Sequence, residues 1–184
     1  MTRPSLPASH LAPQLEALHE ASFGWAVHCC DGDHDEAADV LQASYVKVLG
    51  GRAAFEGRSS FRTWLFGVIR FTALEVRRRS ARELVLAAHH EPSDAPLAAD
   101  EQLVAAEEQA RLQHALALLP DRQREVLHLV FYQGLSVSEA AEVMVVSVGS
   151  ARVHYDRGKK RLRALLSANT DHTHDHHDAR DVGT

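Results

Sequence analysis

Apolar residues recur along this chain at intervals of three and four, the period of helices packed on one face. Leu11, Leu15 and Leu18 set the pattern, and Phe23, Trp25 and Val27 carry it on. The stretch from Cys30 to His34 interrupts it with Asp and Gly, residues that favour turns. Asp33 or Asp35 then suits as the N-cap of a helix predicted to run to Leu49. Its Ala37, Val40, Leu41, Ser44, Tyr45 and Val48 line up on one face, and Gly50-Gly51 ends it. Residues 52–60 read as a loop. A third helix is predicted from Phe61 to Arg82, with Phe61, Trp64, Leu65, Val68, Ile69 and Thr72 on its apolar face and arginines opposite. Three helices sharing one apolar seam make a small bundle.

Residues 83–100 contain two prolines, paired histidines and several acids without periodicity, the mark of a linker. A second unit is predicted over 101–166. Pro120 suits the first turn of a helix through Val126, Leu127 and Val130, which Gly134 closes. Ser136 and Glu139 have capping-box spacing, and Ala140, Ala141, Val143 and Met144 follow. Ser147 can cap a last helix whose Ala151, Tyr155, Gly158 and Leu162 share a face. Residues 167–184 hold Val182 as their one core-forming residue and are expected to be disordered. The expected fold is thus all-α: two small helical domains, 10–82 and 101–166, joined by a flexible linker, the second containing a helix-turn-helix.

Composition agrees. The chain has 184 residues, 45% hydrophobic but only 6% aromatic, so its core must be built of Leu, Val and Ala. No apolar run approaches the ~18 residues of a membrane span. Met1 to His10 lacks the apolar centre of a signal peptide, which makes a cytoplasmic location the expectation. Cys29 and Cys30, the only cysteines, are neighbours that bridge poorly and read as small buried hydrophobes; there is no CxxC spacing for structural zinc.

Charge is distributed unevenly. Residues 1–40 carry one Arg against seven acids; residues 60–82 carry six Arg and one Glu; residues 147–164 carry six Lys or Arg and one Asp. Two basic islands in an acidic chain suit phosphate contact, while the acidic parts disfavour indiscriminate nucleic-acid binding. Solvated helix faces are the plain alternative. The second island falls on the last helix, after a short helix and a three-residue turn. That is the helix-turn-helix arrangement, in which the second helix enters the major groove by its N-terminal residues.

Residues 119–127, LeuProAspArgGlnArgGluValLeu, with GlyLeuSerValSerGluAlaAlaGlu (134–142) and SerValGlySer (147–150), resemble region 4 of sigma-70-family initiation factors, most of all the extracytoplasmic-function (ECF) group. AspGluAlaAlaAspValLeuGln (35–42) resembles region 2.2, and SerSerPheArgThrTrpLeuPheGlyValIleArg (59–70) resembles regions 2.3 to 2.4. Several positions depart from the family pattern. Phe71 replaces a usual Asn, so no contact is carried over to it. Val145 stands at a turn where Gly is common, and a looser or differently shaped turn is expected, because a β-branched residue tolerates positive φ poorly. The recognition helix reads Val153-His154-Tyr155, so promoter preference does not transfer.

The resemblance implies the following roles. Asp39 and Gln42 contact core RNA polymerase, with Leu41 supporting them. Arg58, Ser59, Ser60 and Arg62 serve the -10 element, where melting draws a base out of the stack. Arg77, Arg78 and Arg79 hold phosphates and specify nothing. Trp64 tempts as a stacking platform, but its place on the apolar stripe makes it core. For the -35 major groove, Ser150, Arg152, Val153, His154 and Arg157 are the candidates, since an Arg there pairs bidentately with guanine. Lys160 and its basic neighbours contact backbone, and Ser147 and Gly149 offer amides to a phosphate. The expected partners are core polymerase, promoter DNA and an anti-sigma factor. No membrane contact, cofactor or catalytic residue is expected. In a closed form of the two domains, the acidic linker and N-terminal acids would shield the basic faces by charge. Two other functions stay open: a helix-turn-helix regulator acting without polymerase, and a metal-responsive protein using His172, His174, His176 and His177, a donor set that suits Zn, Ni, Cu or Co.

Overall fold

The computed structural model describes residues 8–87 and 103–168, with side chains over 11–82 and 109–167. The tail histidines and most of the linker lie outside the described residues. Helices α1 (Ala8–Ala17), α2 (His19–Cys29), α3 (His34–Leu49) and α4 (Phe61–Ala87) form the N-terminal part. Helices α5 (Leu103–Ala117), α6 (Asp121–Leu127), α7 (Val137–Met144) and α8 (Val148–Ala168) form the C-terminal part, with a π turn at His128–Tyr132 between α6 and α7.

Local chemistry sets most boundaries. Asp33 caps α3, its carboxylate accepting from the amides of Asp35 at 3.0 Å and Glu36 at 2.9 Å. Gly50 ends it for a steric reason: a Cβ there would meet the Val46 carbonyl oxygen at 2.8 Å. Ser60 caps α4 by accepting from the Thr63 amide at 3.1 Å. Helix α4 runs on to Ala87, past the expected end at Arg82, because GluLeuValLeuAla (83–87) are residues that favour or tolerate a helix and no breaker intervenes before Pro92. The apolar stretch expected as one helix through Leu11 and Val27 is instead two helices breaking at Leu18.

The N-terminal bundle packs around Trp25, which is fully buried and donates its indole N–H to the Phe66 carbonyl at 3.0 Å. Val40, Leu41 and Val48 of α3 meet Leu65, Phe66 and Ile69 of α4 there. This core does not end at the bundle. Val126, Leu129, Leu135, Ala140, Val143 and Met144 belong to the same cluster of buried residues, so the C-terminal part is seated on the N-terminal part through α7 against α4. At roughly 1.5–3 kcal/mol for each large aliphatic side chain removed from water, that seat is a substantial stabilising contact. Behind it, Gly158 lets α8 approach α6: a Cβ there would crowd Leu127 and Gln123 at 3.2–3.3 Å.

The turn between α7 and α8 departs from expectation. Val145 adopts the left-handed conformation, φ 54 and ψ 50, so the tight turn is kept and the β-branched residue bears the strain. The Val145 and Val146 amides still return to Glu142 and Ala141, at 3.2 and 3.0 Å, which holds the turn closed. Left-handed backbone costs a non-glycine residue about 1–2 kcal/mol, whereas glycine loses somewhat more entropy on folding. Val145→Gly should therefore raise stability by roughly 0.5–1 kcal/mol, read as a higher urea midpoint; an unchanged or lower midpoint would show that the turn is unstrained.

Candidate nucleic-acid interface

The helix-turn-helix is built as its sequence requires. Ser136 and Glu139 close a full capping box: the Ser136 amide donates to the Glu139 carboxylate at 2.9 Å, and the Glu139 amide donates to Ser136 Oγ at 3.2 Å. The Ser136 backbone donor holds the Glu139 carboxyl below its usual range. Ser147 caps α8, accepting from the Ser150 amide at 3.1 Å, while the two hydroxyls bond at 2.8 Å. Ala151 and Gly158 face inward, fully buried or nearly so. Ser147, Gly149, Ser150, Arg152, Val153, Arg157 and Lys160 are consequently all exposed, and His154 is half-buried. The side-chain chemistry expected at a groove thus lies together along one end of one helix.

In the N-terminal part the candidates separate. Asp39 and Gln42 are exposed on α3 and Leu41 is buried beneath them. Arg58 is exposed on the loop, and Arg78 and Arg79 are exposed on α4. Ser59 is half-buried, and Ser60, though exposed, has its hydroxyl engaged as the α4 cap. Arg77 is held: it donates to the Cys29 carbonyl at 2.9 Å and pairs with Asp31. Arg62 is half-buried and turned toward the C-terminal part, donating to Gln133 Oε1 at 3.4 Å over the Phe66 ring. Trp64 is half-buried, in contact with Phe55 and Phe61, and lines a groove of about 560 Å³ with Phe71, Lys47, Arg52, Glu142 and Val145. It is thus neither full core nor a free platform. The exposed Phe71 lies near the Lys47 ammonium, 5.8 Å from its ring centre.

A set of polar residues that the sequence does not reveal joins the two parts. Arg70 of α4 pairs with Glu125 of α6, both side chains 13% exposed, and Arg122 reaches the same carboxylate at 3.1 Å. Arg124 bridges to Asp31 at 3.2 Å, and Thr63 donates to Glu139 at 3.5 Å. His28 stacks on His128 with ring centres 4.2 Å apart. The partners lie tens of residues apart, so no local spacing marks them. The contacts between the two parts are thus packing and these pairs; of the N-terminal acids only Asp31 forms an ion pair among the described residues, the linker side chains lie outside them, and the N-terminal end of α8 is left exposed.

These features define a class: an all-helical protein with a helix-turn-helix seated on a second helical bundle. The sigma-70 region 2 model matches residues 16–83 and the sigma-70 region 4 model matches residues 109–162. The ECF RNA polymerase sigma factor SigX of Bacillus subtilis is 33% identical over 137 residues, spanning 71% of each chain. The RNA polymerase sigma factor CnrH of Cupriavidus metallidurans is 29% identical over 169 residues, 86% of this chain and 87% of that one. Among solved structures, CnrH in complex with the cytosolic domain of CnrY superposes with a TM-score of 0.59 at 26% identity, covering 85% of this chain and 87% of that one. The sigma factor RpoE of Bartonella quintana, in complex with the anti-sigma factor NepR, shares the fold with a TM-score of 0.69 at 24% identity, covering 86% and 97%. The chain belongs to the sigma-70 family and is an RNA polymerase sigma factor of the ECF type. Among the described residues no helix is long and apolar enough to cross a membrane.

The Arg70–Glu125 pair gives a direct handle on the closed form. Glu125→Gln leaves Arg70 and Arg122 without their carboxylate in a half-buried place. Removing one partner of a buried pair costs about 3 kcal/mol. The variant should therefore show a larger radius of gyration by small-angle scattering at unchanged helix content. An unchanged radius would mean that apolar packing alone holds the parts together.

Proposed function

We propose that this sigma factor docks on core polymerase through Asp39 and Gln42 of α3, with Leu41 as their apolar support. The -10 element is served by Arg58, Ser59, Ser60 and Arg62, with Arg77, Arg78 and Arg79 on phosphates. The -35 element is served by Ser147, Gly149, Ser150, Arg152, Val153, His154, Arg157 and Lys160. Residues 10–87 and 101–166 act as two units that separate about the segment between them, with 167–184 as a tail. The protein works in the cytoplasm as an initiation factor, without catalytic chemistry of its own. An anti-sigma partner holds it closed, a reading supported by the NepR complex of the similar fold.

The observation that carries this reading is the exposed cluster on the N-terminal half of α8, set by a capped helix-turn-helix and continuous with a polymerase-type bundle. A regulator acting without polymerase would have no use for the second matched region, 16–83. Run-off transcription with purified core and start-site mapping tests the whole: specific transcripts support it, and tight promoter binding without core but no transcript would favour the free regulator.

Two substitutions separate the roles. Asp39→Arg reverses a charge on an exposed docking face and should weaken core binding tenfold or more, about 1.4 kcal/mol, with helix content unchanged; undiminished co-purification with core would remove Asp39 from the docking site. Arg152→Ala should cost about 1–3 kcal/mol on promoters with the preferred -35 sequence, whereas Lys160→Ala should weaken all promoters evenly. Identical promoter profiles for the two variants would overturn the division between base reader and phosphate contact.

A further inference from the structure

The rings of Trp25, His28, His128 and Tyr132 form a stack across the joint between the two parts. His28 comes from α2 and His128 from the π turn, so the imidazole pair exists only while the parts are together. The hydrogen bonds around it bear on the proton at His128. Arg62 carries only donors, so it takes Oε1 of Gln133, at 3.4 Å. That leaves Gln133 Nε2 facing His128 Nε2 at 3.2 Å. Amide nitrogen donates and does not accept, so His128 Nε2 must be bare and the ring neutral. A proton there would set donor against donor, and turning the amide over would only move the clash to Arg62.

The charged surroundings give a second imidazolium no relief. Arg70, Arg77 and Arg78 of α4 and Arg122 and Arg124 of α6 line the cleft beside His28. The carboxylates there are already engaged: Asp31 with Arg77 and Arg124, Glu125 with Arg70 and Arg122, and Asp121 with Arg124. The neighbouring Cys29 thiol is neutral as well, its pKa raised by burial.

We propose that His28 and His128 form a proton-operated clasp: the closed form requires both imidazoles neutral, and proton uptake by the pair opens the sigma factor for core polymerase. This rests on the closed-to-open reading given above. Burial first, and then the nearby charges of His128, Arg124 and Arg77, takes His28 down to about 3; burial takes His128 down to about 4. In the open form both rings return to the ordinary value near 6.5. Only the open form then binds protons between pH 4 and about 6.5. The stability of closure is thus complete above the ordinary histidine range and falls as pH falls through it. From pH 7.5 to 6.0 the closing constant should drop roughly fourfold per imidazole, a little over tenfold for the pair.

The test is the affinity of the full chain for core polymerase at pH 7.5 and 6.0, in wild type, His28→Phe and His28→Phe/His128→Phe, each checked for helix content. Phenylalanine keeps the ring stack and removes the proton. The apparent affinity of wild type should gain about tenfold on acidification relative to the double variant, and the single variant should gain about fourfold. Equal pH ratios in wild type and His28→Phe, or no gain in wild type, would overturn the clasp. Scattering of wild type at pH 7.5 separates the two failures: an extended chain there overturns the closed form itself, whereas a compact chain with no histidine-dependent gain overturns the clasp alone.

Discussion

Helix α4 has one apolar surface and two claims on it. Leu65, Phe66 and Ile69 complete the core around Trp25, and the neighbouring turns also receive Ala140, Val143 and Met144 from the helix-turn-helix. A helix of this kind is normally polar on the side away from its own bundle. Here that side instead alternates apolar contact with Arg62, Thr63 and Arg70, each of which finds its partner on the C-terminal part. The polar residues make the contact reversible. Against Gln133, Glu139 and Glu125 each finds an acceptor, although Arg62 Nε stays buried without one, and separated from them they are arginines and a threonine that water solvates well. An entirely apolar face would give a tighter joint that could not open without exposing grease.

Most of the helices were legible in the sequence because their signals are local. The Asp33 cap, the Ser136/Glu139 capping box and the stop at Gly50 each depend on residues within four positions, and each is present. The face of α8 was legible for the same reason: Ala151 and Gly158 are buried, leaving the basic residues outside. The joint was not legible. Arg124 and Asp31 are 93 residues apart, and Arg70 and Glu125 are 55 apart. Nothing in the neighbourhood of either residue distinguishes an arginine that will be half-buried in an ion pair from one that will lie in solvent. The His28–His128 stack was hidden twice over, since a single histidine on a helix reads as surface and the π turn that carries His128 has no sequence signature.

Val145 is a case where local reasoning identified the right position and the wrong outcome. A β-branched residue at a left-handed turn argues for a changed turn, but the amide returns at both ends and the buried Val143 and Met144 just before it fix the chain direction. Tertiary contact overrides a local preference worth about 1–2 kcal/mol. The side chain itself is 82% exposed, so packing does not reward it at this joint.

On the proposed assignment, the closed form would inhibit for a reason that differs from simple covering. The N-terminal end of α8, assigned to the -35 element in that proposal, is open to solvent; what closure engages is Arg62 and the partnering face of α4. The second obstacle is distance. Elements centred near -35 and -10 are about 25 base pairs apart, or about 85 Å along B-DNA at 3.4 Å per step. A compact chain of 184 residues has a radius of gyration of about 16 Å. On the proposed assignment, α8 and the loop at Arg58 cannot occupy both elements until the joint between α4 and α7 has parted. Core polymerase then contributes more than an anchor: it holds the separated parts at the promoter spacing and so supplies the effective concentration that the free chain lacks. On this reading, opening is the step on which simultaneous occupation of the two elements depends, and the pairs around Arg70, Asp31 and His128 add to the apolar seat in setting its equilibrium.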